Sequence, residues 1–472
     1  MQDLQVLLDG GYKGTGLTKF KLSCPLTDFP QEILELGDSL EQLDFSGTGL
    51  SSLPANLGSF LPNLKIAFFS NCNFTVFPKE LATCPNLEMV AFRGNAMVEI
   101  PEDALPLRLR WLILTGNRIK ALPASIGRCT RLQKCMIAGN QLRSLPAEMA
   151  QCTKLGLLRL SANQLSILPP WLFTLPELAF LSFAGNPCST PLSNGTLTTL
   201  PLGLSNIPWP SLTVQHTLGR GASGIISQAL WEQSPGAFAE EVAIKLFHGA
   251  LTSDGTPADE MAACLAAGAH ESLISLLGRI TDHPDEENEM GSFQGGIVMQ
   301  LVPEQYCVLG QPPSMASCTR DCFEEAAGAM SAGCALSMLA GVAGAAGHLH
   351  RKGIAHGDLY AHNILASRED AHALLGDFGA ATVYGKAQAE LPQGAMEKLE
   401  VLAFAHLVED ILGLVKEEEE GEEEQLRKGL KALQTKCAVA DVEARPTFEE
   451  ITQELEDMMG WRGMMRIPDV PN

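Results

Sequence analysis

Between residues 40 and 188 the apolar positions follow one template: L-x-x-L-x-L-x-x-N-x-L, then an apolar residue and Pro. It is plainest in LRWLILTGNRIKALP and LGLLRLSANQLSILP. The N slot holds Thr48, Cys72, Asn95, Asn117, Asn140, Asn163 and Asn186, which is 138 residues in six steps, a mean period of 23. Each unit predicts one short strand. Framework residues such as Leu112 and Leu114 point into a shared core, and the Asn side chain satisfies backbone groups at the following turn. LTKFKLS, residues 17–23, reads as a degenerate first unit, so residues 1–39 are expected to cap the array. Strand residues between framework positions face the opposite, concave side. They form the rows Ile66, Met89, Trp111, Lys134, Leu157, Phe180 and Phe68, Ala91, Ile113, Met136, Arg159, Ser182. Water-facing positions should be mostly polar, and these are mostly apolar, so the region of Trp111, Ile113 and Met136 is expected to be covered. The cover would be a partner protein or the second half of the same chain.

This pattern resembles the cytoplasmic-type leucine-rich repeats. The resemblance implies an α/β solenoid of horseshoe shape over residues 40–188, with a concave face that binds a protein substrate or regulator.

After residue 188 the period is lost. Residues 189–211 are rich in Pro, Ser, Thr and Gly and read as a linker. From residue 212 short strand patterns appear, LTVQHTLG, IISQAL and EEVAIKLF. A helix-then-strand segment, ADEMAACLAAGAHESLISLLG, follows, and then the strand GGIVMQLV. Residues 326–347 carry no charge and are long enough to span a membrane. They are mostly Ala and Gly, whose transfer energies are weak, so a buried helix is predicted and no membrane span. A second domain is thus expected over 212–460, with a tail over 461–472.

Composition sharpens this division. Residues 1–200 hold 16 Lys+Arg against 15 Asp+Glu, a net of +1, whereas residues 201–472 hold 17 against 40, a net of −23. No basic stripe exists to neutralise phosphates, so nucleic acid is not expected as a partner. The thirteen cysteines include no C-x-x-C pair. Cys84, Cys129 and Cys152 each lie eleven residues before a template Asn, which reads as a small buried hydrophobe of the repeat. A reducing compartment is the expectation. MQDLQVLLDGGYKG lacks the basic flank and apolar core of a signal peptide, and a cytoplasmic location is expected.

The chemistry lies in the second half. GRGASG, residues 219–224, stands between two strand patterns, whereas a dinucleotide-binding unit would need a helix directly after the glycines. VAIK ends at Lys245, and a buried ammonium requires an anion partner, for which Glu260 is the candidate. HGDLYAHNIL places Asp358 and Asn363 five residues apart, and Asp377 follows in LLGDFGA. Glycine loop, VAIK, His-x-Asp…Asn and DFG occur in kinase order and spacing. With LEVLAFAHLVEDIL and EARPTFEEI beyond them, they make residues 212–457 resemble protein kinases. The whole chain resembles a soluble leucine-rich repeat protein kinase. The implied fold for residues 212–460 is the α+β bilobal protein kinase-like one.

That resemblance implies ATP and Mg²⁺ as cofactors and assigns roles residue by residue. Leu218, Gly219, Arg220, Gly221, Ala222, Ser223, Gly224, Ile226 and Ala243 would enclose the nucleotide. Met299 would stand at the gatekeeper position, and Lys245, paired with Glu260, would hold the α/β-phosphates. Asp358 would orient the acceptor hydroxyl and take its proton, and Asn363 and Asp377 would bind Mg²⁺. The implied activity is a protein kinase, with serine or threonine ahead of tyrosine as acceptor.

The chain departs from the family pattern in several places. Gly357 stands where an Arg is common, Tyr360 where Ser/Thr kinases carry Lys, and Glu400 where an Asp is usual. Only 23 residues separate Asp377 from Glu400, no A-P-E is present, and Arg445 is expected to lack its usual partner. These departures keep two alternatives open, a pseudokinase scaffold acting through the repeats and a small-molecule phosphotransferase. The acidic run EEEEGEEE, residues 417–424, reads as a solvated loop or helix end.

Overall fold

The computed structural model describes residues 2–189, 204–285, 293–323, 330–385, 391–416 and 421–465. Most of the expected linker and the end of the expected tail lie outside these residues. The chain forms two compact units, Met1–Leu178 with Asn186–Cys188, and Ala179–Gly185 with Ser189–Asn472.

A short helix α1 (Leu4–Leu8) opens the chain. Three-residue parallel strands follow: β1 (Lys19–Lys21), β2 (Gln42–Asp44), β3 (Ile66–Phe68), β4 (Met89–Ala91), β5 (Trp111–Ile113), β6 (Lys134–Met136), β7 (Leu157–Arg159) and β8 (Phe180–Ser182). They are ordered as in the sequence, and the only α-helix described between them is the one-turn α2 (Leu57–Phe60). An eight-stranded parallel sheet at this spacing is compatible with the repeat reading. The central strand residues Ala67, Val90, Leu112, Cys135 and Leu158 are fully buried, as the alternation requires. Behind them Phe20 meets Phe45 and Phe45 meets Phe69 edge to face, and Phe69 stacks on Phe92.

The template Asn residues are buried and join neighbouring units. Asn117 Oδ1 accepts the Met97 N–H (3.1 Å), and its Nδ2 donates to the Phe92 and Leu114 carbonyls. Asn95, Asn140, Asn163 and Asn186 each accept an N–H from the preceding unit in the same way, from Phe74, Ile119, Leu142 and Leu165. Thr48 and Cys72, which occupy this slot without an amide, both donate to the Phe45 carbonyl.

All thirteen cysteines are free thiols. Burial pushes the Cys84 and Cys152 thiols up to about 12 and the Cys129 thiol up to about 11, the behaviour of small hydrophobes. On the face of β5 and β6, the Lys134 Nζ lies 4.4 Å from the centroid of the Trp111 ring, whose Nε1 donates to Met136 Sδ (3.4 Å). These three residues are thus interlocked across adjacent strands.

The second unit contains a six-stranded sheet. Its strands are β9 (Ser205–Pro208), β10 (Leu212–Arg220), β11 (Gly224–Trp231), β12 (Glu240–His248), β13 (Leu276–Thr281) and β14 (Phe293–Gln300), in the order β10-β11-β12-β14-β13-β9. The strand β9 corrects the expectation that residues 189–211 are linker throughout. It lies parallel to β13 and places Ile207 in the core with Leu212, Val242, Ile244, Ile280 and Val298. Helix α3 (Pro257–Ala267) packs on this sheet. Thr256 caps it by accepting the Asp259 N–H, and Pro257 opens it at a position where no N–H is needed.

Beyond the sheet come β15 (Cys307–Val308), helix α4 (Ala332–Arg351), β16 (Ile354–Ala355), β17 (Ile364–Ser367), β18 (His372–Leu375) and β19 (Thr382–Val383). Helices α5 (Ala395–Leu412), α6 (Glu422–Cys437) and α7 (Phe448–Met465) complete the unit. Residues 326–329 of the uncharged segment lie outside the described residues; from residue 332 on it is α4, which starts at a Ser331 N-cap and runs on to Arg351. It is long and apolar enough to cross a membrane, yet thirteen of its residues, among them Leu336, Leu339 and Val342, are buried inside the unit. The described part of the acidic run opens α6, where Glu422, Glu423 and Glu424 suit the positive end of the helix dipole.

Candidate functional site

β10 and β11 are joined by a turn over 221–223, closed by the Gly221 N–H donating to the Gly224 carbonyl (2.9 Å). At Gly224 a Cβ would meet the Leu246 carbonyl oxygen at 2.5 Å, so glycine allows β11 to approach β12. Gly219, Arg220, Gly221, Ala222 and Ser223 therefore sit on one strand end and turn, and Leu218 is exposed on β10. The Ser223 carbonyl accepts the His248 N–H (2.9 Å), which ties the turn to the end of β12.

Lys245 lies on β12 opposite Ile226 of β11, and Ala243 lies opposite Met299 of β14. The ammonium donates to Glu260 of α3, whose carboxylate is buried. Burial alone would depress the Lys245 pKa. The carboxylates of Glu260 and Asp377 outweigh it and hold the group above the usual lysine range. Ile226, Lys245, Glu260, Met299, Asp377 and Phe378 line one cleft.

Asp358 and Asn363 lie in the loop between β16 and β17. Asn363 Nδ2 donates to the carbonyl and to Oδ2 of Asp358, each at 2.8 Å. The Asn363 carbonyl accepts the Gly376 N–H (2.9 Å), and His356 Nε2 bonds the Gly376 carbonyl (2.8 Å). This brings the segment carrying Asp377 against the loop carrying Asp358. Asp377 has φ +52°, a left-handed backbone that non-glycine residues rarely adopt, and its Oδ1 accepts the Gly379 N–H at 3.1 Å.

The residues present fit a nucleotide with its magnesium. Asp377 supplies a carboxylate. Asn363, with Nδ2 committed to Asp358, still offers its amide oxygen, and both are hard oxygen donors of the kind Mg²⁺ takes. Lys245 adds a cation on the wall of the same cleft.

Three of the departures from the family pattern, Gly357, Glu400 and Arg445, have local surroundings that accommodate them. Gly357 has φ +73°, and a Cβ there would stand 2.6 Å from the Ala380 carbonyl oxygen. No side chain fits without displacement. Glu400 accepts the N–H groups of His356 (3.2 Å) and Gly357 (2.6 Å). Arg445 is buried and donates to the carbonyls of Val439 (3.0 Å) and Lys398 (3.1 Å), so backbone oxygens hold it in place.

Sequence reasoning passed over two partners of this loop. Asp321 accepts the His362 N–H (3.0 Å) and bonds its Nδ1 (2.8 Å), and His350 of α4 bonds Glu400 (2.7 Å). Both join residues more than forty positions apart, which no local period reveals.

Residues 212–405 match the family model for protein tyrosine and serine/threonine kinases, and this part of the chain is a protein kinase domain. A segment of 91 residues is 37% identical to Receptor-like protein 39 of Arabidopsis thaliana, over 18% of this chain and 10% of that relative. The chain therefore spans about a tenth of the length of the curated relative it matches.

Proposed function

We propose that the chain is an ATP- and Mg²⁺-dependent protein kinase that transfers the γ-phosphate to a protein hydroxyl, serine or threonine ahead of tyrosine. The observation that carries this reading is the set Lys245–Glu260, Asp358–Asn363 and Asp377, gathered on one cleft and one loop. A binding scaffold has no chemical need for all five. Bound ATP–Mg²⁺ would supply the transferable phosphoryl group, held by Lys245 on the α/β-phosphates and by Asn363 and Asp377 at the metal. The transition state is loose, so the protein's work is positioning and charge neutralisation. Asp358, half-buried and braced by Asn363, orients the acceptor hydroxyl and takes its proton. Glu260 keeps Lys245 aimed into the cleft.

The repeating strands are read as leucine-rich repeats that serve as the partner- or substrate-binding module. The region of Trp111, Ile113 and Met136 is its contact surface. The apolar concave rows and the similarity of a segment to a receptor-like protein support this part. The location proposed is cytoplasmic.

The test is Asp358→Asn. With Mg-ATP and a mixed panel of proteins, peptides and small alcohols, the variant should lose phosphoryl transfer by about 10³-fold or more, while nucleotide affinity and thermal unfolding stay near wild type. Turnover within a few-fold of wild type would remove Asp358 from the reaction. Transfer by the wild type only to small alcohols would replace the protein acceptor with a small-molecule one.

A further inference from the structure

Tyr384 belongs to none of the motifs, yet it sits at the end of a chain of hydrogen bonds that reaches the catalytic loop. It follows β19, whose Val383 and Thr382 pair with Ile354 and Ala355 of β16, directly before that loop. Its N–H donates to the Gly353 carbonyl (2.7 Å), and its side chain is only 5% exposed. The hydroxyl lies 2.9 Å from Nδ1 of His350, and His350 Nε2 lies 2.7 Å from Glu400 Oε2. Glu400 in turn accepts the His356 and Gly357 amides.

The direction of the bond to Glu400 follows from its chemistry. An ionised carboxylate only accepts, so Nε2–H donates to Glu400. The other ring nitrogen, Nδ1, meets the Tyr384 hydroxyl, which can serve it as donor or as acceptor. The two ends of this chain are also fixed in charge. Burial pushes the Tyr384 hydroxyl pKa up, with the nearby Glu400 and Glu397 adding to it, so it keeps its proton. Burial would also raise the Glu400 pKa, but the hydrogen bond and charge of His350 outweigh this and hold the carboxyl below its ordinary range. The ring of Phe448 stacks on His350 at 5.6 Å and 17°, which fixes the imidazole plane.

We infer that Tyr384 is a positioning residue for the catalytic loop, acting through His350 and Glu400 on the amides of His356 and Gly357, which precede Asp358. The inference rests on the kinase reading of this site. It assigns the buried tyrosine after DFG the task of holding loop geometry by a hydroxyl contact. A shared relay of this kind couples the segment after Asp377 to the loop that carries the proton acceptor.

The test is Tyr384→Phe, which removes one oxygen and keeps the ring. Phosphoryl transfer should lose about tenfold in kcat, which is about 1.4 kcal/mol. The KM for ATP should change less than about 2-fold, since a merely structural lesion would move both. By hydrogen exchange, the His356 and Gly357 amides should open at least about tenfold faster in the variant. In the wild type the Gly357 and Tyr384 amides should open together as one unit, and this arm decides the matter if the variant does not fold. Unchanged exchange at Gly357 would overturn the relay. So would separate opening of the two wild-type amides, or faster exchange with unaltered kcat. If the wild type phosphorylates nothing, the kinase reading fails, and the two exchange arms still decide the relay.

Discussion

Restoring an arginine at position 357, as regulated kinases commonly have, should harm this protein. Gly357 lies at φ +73°, where an L-residue costs about 1 kcal/mol more than glycine. A Cβ would also sit 2.6 Å from the Ala380 carbonyl oxygen. That carbonyl has little room to retreat. Ala380 is buried, the next residue's N–H is bonded to Phe378, and the Gly357 N–H is held by Glu400 at 2.6 Å. Forcing such a contact apart costs about 1–3 kcal/mol. Gly357→Ala should therefore destabilise the kinase domain by about 2–4 kcal/mol, and Gly357→Arg by at least as much. Gly394 provides the control, since its φ is +71° but a Cβ there meets nothing within 4 Å, so Gly394→Ala should cost only the backbone term of about 1 kcal/mol. Urea unfolding of the three variants, with kcat measured beside it, reads both parts. If Gly357→Ala costs no more than Gly394→Ala, or if Gly357→Arg is as stable and active as wild type, the steric argument is wrong.

Two further outcomes follow from buried charges. Lys245→Met and Glu260→Gln should each lower kcat/KM for ATP by about 100-fold, because either leaves a buried partner uncompensated. The double variant should be little worse than either single one, and additive losses in the cycle would show that the two do not act as a pair. The other outcome concerns His406, whose pKa burial, helped by the charge of Arg320, pushes down to about 4. The unfolded chain takes up this proton near pH 6.5, so the His406 contribution is complete above that pH and is lost as pH falls toward 4. The loss amounts to about 3 kcal/mol. In urea unfolding at pH 7 and pH 4, His406→Gln should show a smaller drop than wild type by roughly that amount, and equal drops would refute it.

Much of this architecture is legible from local pattern. The period of 23 marks the short parallel strands because every repeat presents the same burial problem. Lys245 stands out because a cation inside an apolar strand requires a partner, and Asp377 because the resemblance to protein kinases places it in their Asp-Phe-Gly motif. Glu260 follows from spacing along one helix, and Asn363 from lying five residues beyond Asp358. The strand Ser205–Pro208 is not legible, since four residues with one buried side chain, Ile207, carry no period, and flanking Pro, Ser and Gly read as linker. The reason for Gly357 is equally hidden, because it depends on a backbone angle and on a carbonyl 23 residues away. His350, Tyr384 and Glu400 meet across 34 and 50 residues, and only tertiary structure brings such side chains together.

The template asparagines also impose an order in time. Each Asn completes the unit before its own: Asn95 satisfies the Phe74 amide, Asn117 that of Met97, Asn140 that of Ile119 and Asn163 that of Leu142. On a ribosome, a unit that has just emerged lacks the side chain for this amide until the Asn that lies 20 or 21 residues further on has emerged too. Emergence from the N-terminus thus closes the array one step behind the newest unit, and the newest edge is always the open one. A pause in translation at any point would leave a single incomplete unit exposed, however many have already formed.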